Sequence, residues 1–271
     1  MAGTHASSSR PLAVITGASS GIGFELARQF AQNGFDLLIA AEDTGLQDAA
    51  TSLRALGVQV ESVQVDLAIY QGVEQLWARI QATGRPVDSL ALNAGVGVGG
   101  DFARETSLEA ELNLIQLNVT STVHLAKRVA REMVKRGSGR LLFTSSIAAT
   151  MPSPLEAVYG ASKAFVQAFA ESLRNELKDA GITVTALLPG PTETNFFHRA
   201  GMDDTRVGQD EKDDAETVAR EGFEALMAGK EKVVAGSWSN KAMVAGGRVL
   251  PQSVKAAMHR HLSEPVPDKK S

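Results

Sequence analysis

The chain has 271 residues, 44% of them hydrophobic, a formal net charge of -4 and no cysteine. A chain of this size buries a full core without staples and fits one α/β domain, while the lack of thiols removes disulfides, thiolate metal ligands and cysteine nucleophiles. Charge is spread thinly with no basic block, which argues against nucleic acid as a main partner.

Met1 to Arg10 is small and polar, without the apolar core of a secretory signal, and reads as a disordered tail. No run approaches the ~18 consecutive apolar residues of a membrane span, so the cytoplasm is the expected setting. Leu12 to Ile15 is an apolar, partly β-branched run, as a strand covered on both faces requires. From Phe24 the period lengthens to Leu26, Ala27, Phe30 and Ala31, a helix. The turn between them carries Gly17, Ser19, Ser20, Gly21, Ile22 and Gly23. Glycine admits positive φ and close approach, and the free N–H groups of a helix start, aided by the helix dipole, hold a pyrophosphate. The spacing is Gly-x-x-x-Gly-x-Gly, which departs from the Gly-x-Gly-x-x-Gly of the common dinucleotide fingerprint.

Strand-like and helix-like segments then alternate, predicting an α/β fold: a single doubly wound, Rossmann-type parallel sheet with helices on both faces. Asp36 to Ala41 is the second strand, Gly45 to Leu56 a helix closed by Gly57, and Val58 to Val65 the third strand, ending at Asp66 and Leu67. Tyr70 to Ala82 follows as helix, then Ser89 to Leu92 as a short strand leading into Asn93-Ala94-Gly95 and a glycine-rich stretch to Asp101. One long helical pattern spans Ser107 to Arg136, Arg140 to Thr144 is a strand, Ala157 to Asp179 a helix, and Ile182 to Leu188 a strand stopped by Pro189-Gly190. Asn195 to Asp214 has no period and reads as a lid or mobile loop with Phe196 and Phe197 as its large apolar members. Ala215 to Ala228 is helix, Lys232 to Ala235 strand, and Ser239 to Leu262 one or two helices broken near Pro251. Residues 11–238 thus read as a dinucleotide-binding catalytic domain and 239–271 as a helical extension that packs on it or on an interface. Its basic amphipathic stretch, Lys241 to Leu262, fits that use better than a membrane surface.

In a doubly wound sheet ligands sit beyond the carboxyl ends of the strands. Asp66, Asn93, Ser145, Ser146 and Pro189 all fall there. Tyr159 and Lys163, four apart at the start of a helix, face the same way, and an ammonium within about 4–6 Å of a phenol lowers its pKa. Ser146 stands thirteen residues before Tyr159, and Asn118 lies in the long helix.

This order and spacing, Thr16-Gly17-x-x-x-Gly21-x-Gly23, Asn93-Ala94-Gly95, Asn118, Ser146, Tyr159-x-x-x-Lys163 and Pro189-Gly190, resembles the short-chain dehydrogenase/reductase family across residues 11 to 195. The resemblance implies a hydride transfer between a nicotinamide cofactor and a carbonyl or secondary alcohol. Tyr159 would be the acid/base, Lys163 would lower its pKa and bind the nicotinamide ribose, Ser146 would hydrogen-bond the substrate oxygen, and Asn118 would hold a water of the proton relay. Ser145 is the competing serine. By the same resemblance Asp66 contacts adenine, Asn93 lies below it, and Thr194 contacts the carboxamide. The alternative for Asp66 and Asn93 is a turn residue and for Thr194 a helix N-cap, and within the motif set the functional reading of Asp66 and Asn93 is preferred. Leu67, Ala94, Gly95, Pro189, Gly190 and Thr192 complete the expected cofactor contacts. At the end of the second strand Ala41 falls at the family's NAD-selecting aspartate position and Glu42 at its NADP-selecting arginine position. Glu42 and Asp43, with no basic neighbour in sequence, repel a 2′-phosphate, so NAD is the expected cofactor, with NADP the alternative.

The substrate walls are expected from Val96 to Phe102, Ile147 to Val158 and the loop after Thr194, mixed apolar and glycine-rich without a charged anchor. Lys127, Arg128 and Arg131 form either a docking patch for an acyl carrier or a solvated helix face. His259 and His261 point to different helix faces, so no metal is implied. A homo-oligomer is expected from the resemblance and from the breadth of the apolar face over Ser107 to Arg136. The rival classes are a non-catalytic nucleotide sensor of the same fold, which has no chemical need for the four residues together, and an epimerase or dehydratase of the longer related family, whose glycine spacing differs.

Overall fold

The structure is a computed structural model that describes residues 10–247 and 250–266. Of the tail expected over residues 1–10, residues 1–9 lie outside the described residues, while Arg10 is held, its guanidinium donating to the Gly57 carbonyl at 2.5 Å. Arg248 and Val249 of the amphipathic stretch and residues 267–271 also lie outside them.

Seven parallel strands form one sheet in the order β3-β2-β1-β4-β5-β6-β7. They are β1 (Leu12–Thr16), β2 (Asp36–Ala41), β3 (Val60–Gln64), β4 (Val87–Leu92), β5 (Gly139–Thr144), β6 (Ile182–Pro189) and β7 (Lys232–Ala235). Every residue of β1 and β2 is buried, because helices cover both faces, and this is why these strands read as continuous apolar runs. One face is covered by α1 (Gly21–Gln32), α2 (Leu46–Arg54) and, later in the chain, the helix Ala215–Met227. Phe30 is fully buried there, edge-on to Phe35 and Phe223 at centroid distances of 5.1 and 5.0 Å. The other face is covered by α3 (Tyr70–Ala82), by the helix Thr122–Arg136 through Leu125, Val129 and Met133, and by the helix Ala157–Leu177 through Val166 and Ala170.

The strand order reverses between β1 and β4, and the ends of the strands there open a crevice. The long helix expected over Ser107 to Arg136 is three pieces: α4 (Leu108–Ile115), a π-helical turn (Gln116–Ser121) and α5 (Thr122–Arg136). Ser121 Oγ donates to the Leu117 carbonyl and Thr122 Oγ1 to that of Asn118, at 2.5 and 2.9 Å. These side chains bond carbonyls four residues back, in competition with the backbone ladder, where the coil widens.

The helix α6 (Ala157–Leu177) carries Tyr159 and Lys163 in its first two turns. The aperiodic stretch after Thr194 holds two short helices, α7 (Phe196–Arg199) and α8 (Arg206–Gln209), before α9 (Ala215–Met227). The C-terminal stretch breaks at Pro251, as expected, into α10 (Trp238–Gly246) and α11 (Gln252–Ser263), the latter packed against α8. No helix among the described residues is long and apolar enough to cross a membrane.

Candidate active site

At the crevice lies a cavity of about 440 Å³. Gly17, Ser19, Ser20, Gly21, Ile22 and Gly23 line it from the first strand-to-helix turn, Glu42 from the end of β2, Asp66 and Leu67 from the end of β3, and Asn93, Ala94 and Gly95 from the end of β4. Pro189, Gly190, Thr192 and Thr194 line it from the end of β6, and Ser146, Tyr159 and Lys163 from its far side. Asn118 is 1% exposed and stands behind this lining.

The glycine turn is a cradle built by contact. A Cβ on Gly23 would lie 2.0 Å from the Gly17 carbonyl oxygen and 2.5 Å from Asn93 Nδ2, and one on Gly21, whose φ is +54°, would lie 2.8 Å from Thr194 Cγ2. Gly23→Ala therefore drives a methyl into backbone and is expected to destabilise the fold by about 1–3 kcal/mol in thermal or urea denaturation; a wild-type midpoint would show that the turn yields freely. Ser20, the residue before α1, makes no side-chain cap, so no cap hydroxyl occupies the helix start. Thr16 Oγ1 accepts from the N–H groups of Asn93 and Ala94, both at 3.0 Å, and fixes the β4 loop against the turn. Thr16 was quoted in the sequence motif without a role of its own. Asn93 Nδ2 donates to the carbonyls of Thr16 and Gly17 at 3.2 and 3.4 Å.

Asp66 lines the cavity and also closes its own turn, with Oδ1 accepting from Ala68 N–H at 2.8 Å. Thr194 likewise faces the cavity while Oγ1 accepts from Phe196 N–H at 3.2 Å. Beyond β2, Asp43 Oδ2 accepts from Ser19 Oγ at 2.7 Å. The same oxygen lies 3.7 Å from the Arg199 guanidinium of α7, so a basic group does stand near the two carboxylates, supplied by the lid from 156 residues away in sequence. Arg128, part of the basic helix face, is held by both carboxylate oxygens of Glu74 at 3.0 and 2.9 Å.

Ser146 Oγ accepts from Ala148 N–H at 3.1 Å, which leaves its own proton free to donate. Ser145 Oγ is spent inside the fold, donating to the Lys163 carbonyl at 2.8 Å. Lys163 Nζ donates to the Thr144 carbonyl at 3.0 Å and sits 5.8 Å from the centre of the Tyr159 ring. Burial raises the Tyr159 phenol pKa above its ordinary value; the neighbouring Ser146 hydroxyl lowers it and the Glu156 charge raises it. Burial also brings Lys163 down to about 8. In the protein alone, desolvation is the largest influence on both groups. Both Asn118 amide groups bind the backbone of Val96, Oδ1 accepting from its N–H and Nδ2 donating to its carbonyl at 2.9 Å each, while Nδ2 also donates to Ser162 Oγ at 3.1 Å. Phe196 of the lid lies on the Tyr159 ring, 5.2 Å between centroids.

The cavity also has walls that sequence spacing did not single out. Glu156, within the expected wall Ile147 to Val158, and His259, Leu262 and Ser263 of α11 line it. Glu156 is 6% exposed and gives this otherwise apolar wall a carboxyl.

Comparison with known proteins places this arrangement. The family model described as short chain dehydrogenase matches residues 11–205. The "Oxidoreductase UcpA" of Salmonella typhimurium is 32% identical over 215 residues, 79% of this chain and 79% of its own. The "Dehydrogenase/reductase SDR family protein 7-like" of Drosophila melanogaster is 36% identical over 188 residues, 68% of this chain, which spans 57% of the fly protein. The solved "Short-chain dehydrogenase from Sphingobium yanoikuyae in complex with NADPH" superposes with a TM-score of 0.79 at 30% identity, over 96% of this chain and 98% of that one. The chain belongs to the short-chain dehydrogenase/reductase family and is a nicotinamide-dependent oxidoreductase.

Proposed function

We propose that this enzyme interconverts a carbonyl compound and its secondary alcohol, with Tyr159 as acid/base. The observation that carries the reading is that Ser146, Tyr159 and Lys163 meet the Gly17 to Gly23 turn in one cavity. The cavity fits a dinucleotide: the turn excludes even a Cβ, the start of α1 has no side-chain cap, and Gly95 leaves room between Asn118 Oδ1 and Lys163 Nζ, 3.1 and 3.2 Å from where a Cβ would lie. When bound, the nicotinamide ring gives or takes the hydride. Gly17, Ser19, Ser20, Gly21, Ile22 and Gly23 would hold the pyrophosphate and Asp66, Leu67, Asn93 and Ala94 the adenosine end. Gly95, Pro189, Gly190, Thr192 and Thr194 would flank the nicotinamide end. Tyr159 donates its proton to the carbonyl oxygen during reduction and accepts the hydroxyl proton during oxidation. Ser146 donates a hydrogen bond to the same oxygen as charge develops there. Lys163 holds the ribose and stabilises charge on the phenolate, and Asn118 Oδ1 keeps a lone pair for the relay. A screen of ketones and alcohols with NAD and NADP, read by cofactor absorbance, tests the reaction.

The cofactor in this reading is NAD. Glu42 and Asp43 line the cavity at the end of β2, and the Arg199 guanidinium that faces them is already partnered by Asp43. NADP is the second reading, favoured by that same Arg199, because a 2′-phosphate can draw it away from Asp43. Glu42→Arg is expected to shift the ratio of dissociation constants toward NADP by roughly tenfold or more, from a wild type that binds NAD more tightly. Tighter NADP binding by the wild type, or an unmoved ratio in the variant, would give selection to Arg199 instead.

Residues 11–238 form the catalytic unit in this reading and 239–271 an extension on it. A homo-oligomer is supported by the exposed Leu108, Leu112 and Ile115 on α4 and Phe165 on α6. The proposed setting is the cytoplasm.

A further inference from the structure

The proton path and the cofactor contacts leave one wall of the cavity without a use, and it is polar. Glu156 stands immediately before α6, three residues ahead of Tyr159, with its side chain 8% exposed. Its Oε2 accepts from Ser263 Oγ at 3.1 Å and lies 3.5 Å from His259 Nε2, both from α11. His259 Nδ1 is 3.3 Å from the Pro154 carbonyl and from Ser263 Oγ. A carbonyl only accepts, so Nδ1 carries a proton, and in the neutral ring Nε2 faces the carboxyl as an acceptor. Among the described residues Glu156 Oε1 makes no hydrogen bond, and the residue lines the cavity.

The one side-chain hydrogen bond that Glu156 makes, from Ser263, asks only for an acceptor and not for an acid. Burying one without a cation costs several kcal/mol, so a packing role would be served better by an apolar side chain. The backbone is also forced to deliver it. Leu155 has φ of 67°, the one positive φ outside glycine among the described residues, and its carbonyl accepts from Gly100 N–H at 2.8 Å. A left-handed leucine costs about 1–2 kcal/mol and turns the chain so that the next residue enters the cavity. Strain and an unneeded buried charge at one point mark function.

The chemistry of the ligand group follows from what the carboxyl can do. With Oε2 occupied by Ser263, Oε1 accepts a hydrogen bond when ionised and donates one when protonated. A substrate hydroxyl does both and is matched in either state; an ammonium suits only the first and a carboxylate only the second. Glu156 stands three residues ahead of Tyr159 and lines the same cavity, so the group it binds lies on the Tyr159 side of that cavity, near the reacting carbon.

We propose that Glu156, oriented by His259 and Ser263, is a specificity-determining residue that hydrogen-bonds a hydroxyl a few bonds from the reacting carbon, so that hydroxy ketones and their diols are preferred over plain ketones. This rests on Tyr159 as the acid/base. The test measures kcat/KM for ketone pairs that differ only by one hydroxyl, in the wild type, Glu156→Gln and Glu156→Ala, with the cofactor dissociation constant as the check on folding. The wild type is expected to favour the hydroxylated member by at least about tenfold, and Glu156→Ala to bring the ratio near one, mainly through KM of that member. Glu156→Gln keeps volume and an acceptor and falls between. If Glu156→Ala binds no cofactor, Glu156→Gln decides. A wild type without preference, or variants whose ratio equals that of the wild type, overturns the proposal. Absence of turnover on every pair with both cofactors overturns the reaction reading and this proposal with it.

Discussion

Tyr159→Phe is expected to lower turnover by about 10²–10⁴-fold while the cofactor dissociation constant moves by less than about threefold. The substitution removes one oxygen and keeps the ring, so the contact with Phe196 at 5.2 Å between centroids survives. What is lost is the group that, in the proposed mechanism, exchanges a proton with the substrate oxygen, and no neighbour replaces it. Ser146 can hydrogen-bond that oxygen but is too weak an acid to protonate it, and Lys163 Nζ, bound to the Thr144 carbonyl at 3.0 Å, has its remaining donors directed in this reading to the ribose and the phenol. The separation of rate from binding is the informative part. In the proposed arrangement the cofactor is held by the glycine turn, by the ends of β3, β4 and β6 and by Lys163, all unchanged in the variant. Initial rates by cofactor absorbance and titration by fluorescence read the two quantities. Near-wild-type turnover on any accepted substrate would remove Tyr159 from the mechanism.

The parts of this site visible in the sequence are those built from neighbours in sequence. The turn from Gly17 to Gly23, the strand ends at Asp66, Asn93 and Pro189, and the Tyr159 and Lys163 pair each lie within a few residues of a strand end or helix start. The hydrophobic period marks those positions. The π-helical turn at Asn118 was not visible, because one extra residue in the coil leaves the apolar stripe of the surrounding helices almost continuous. Arg199 and the Glu156, His259 and Ser263 group were missed for a different reason. Glu156 and Ser263 are 107 residues apart, and only the docking of α11 brings them together. No local pattern records such a meeting. The one available signal was a glutamate in an otherwise apolar wall three residues before the tyrosine.

Glu156→Gln is expected to stabilise the protein above neutral pH and to give no such gain in acid. Burial raises the Glu156 carboxyl from its ordinary 4.5 to about 7, against a smaller lowering by the Ser263 hydroxyl. The groups around it are Ser263 and His259 from α11 and Tyr159 from α6; burial lowers the His259 pKa, which disfavours an imidazolium beside the carboxyl. The folded chain therefore binds this proton more tightly than the unfolded chain. The stabilisation from that proton is complete below pH 4.5 and is lost as pH rises through about 7, after which the folded state carries a buried carboxylate. The gap between 4.5 and about 7 corresponds to about 3 kcal/mol. Glutamine fills the same volume and never ionises, so it avoids that cost at pH 8 and gains nothing at pH 5, where it lacks the acid's O–H donor. Lys163 titrates near 8 in both proteins and cancels from the difference. Urea denaturation of the two proteins at pH 5, 6, 7 and 8 should show a stability difference that grows through this range toward about 3 kcal/mol in favour of the variant. A difference that stays flat with pH would show that the carboxyl is solvated or neutralised in solution, and that the wall of the cavity at α11 opens more readily than the packing of Glu156, His259 and Ser263 implies.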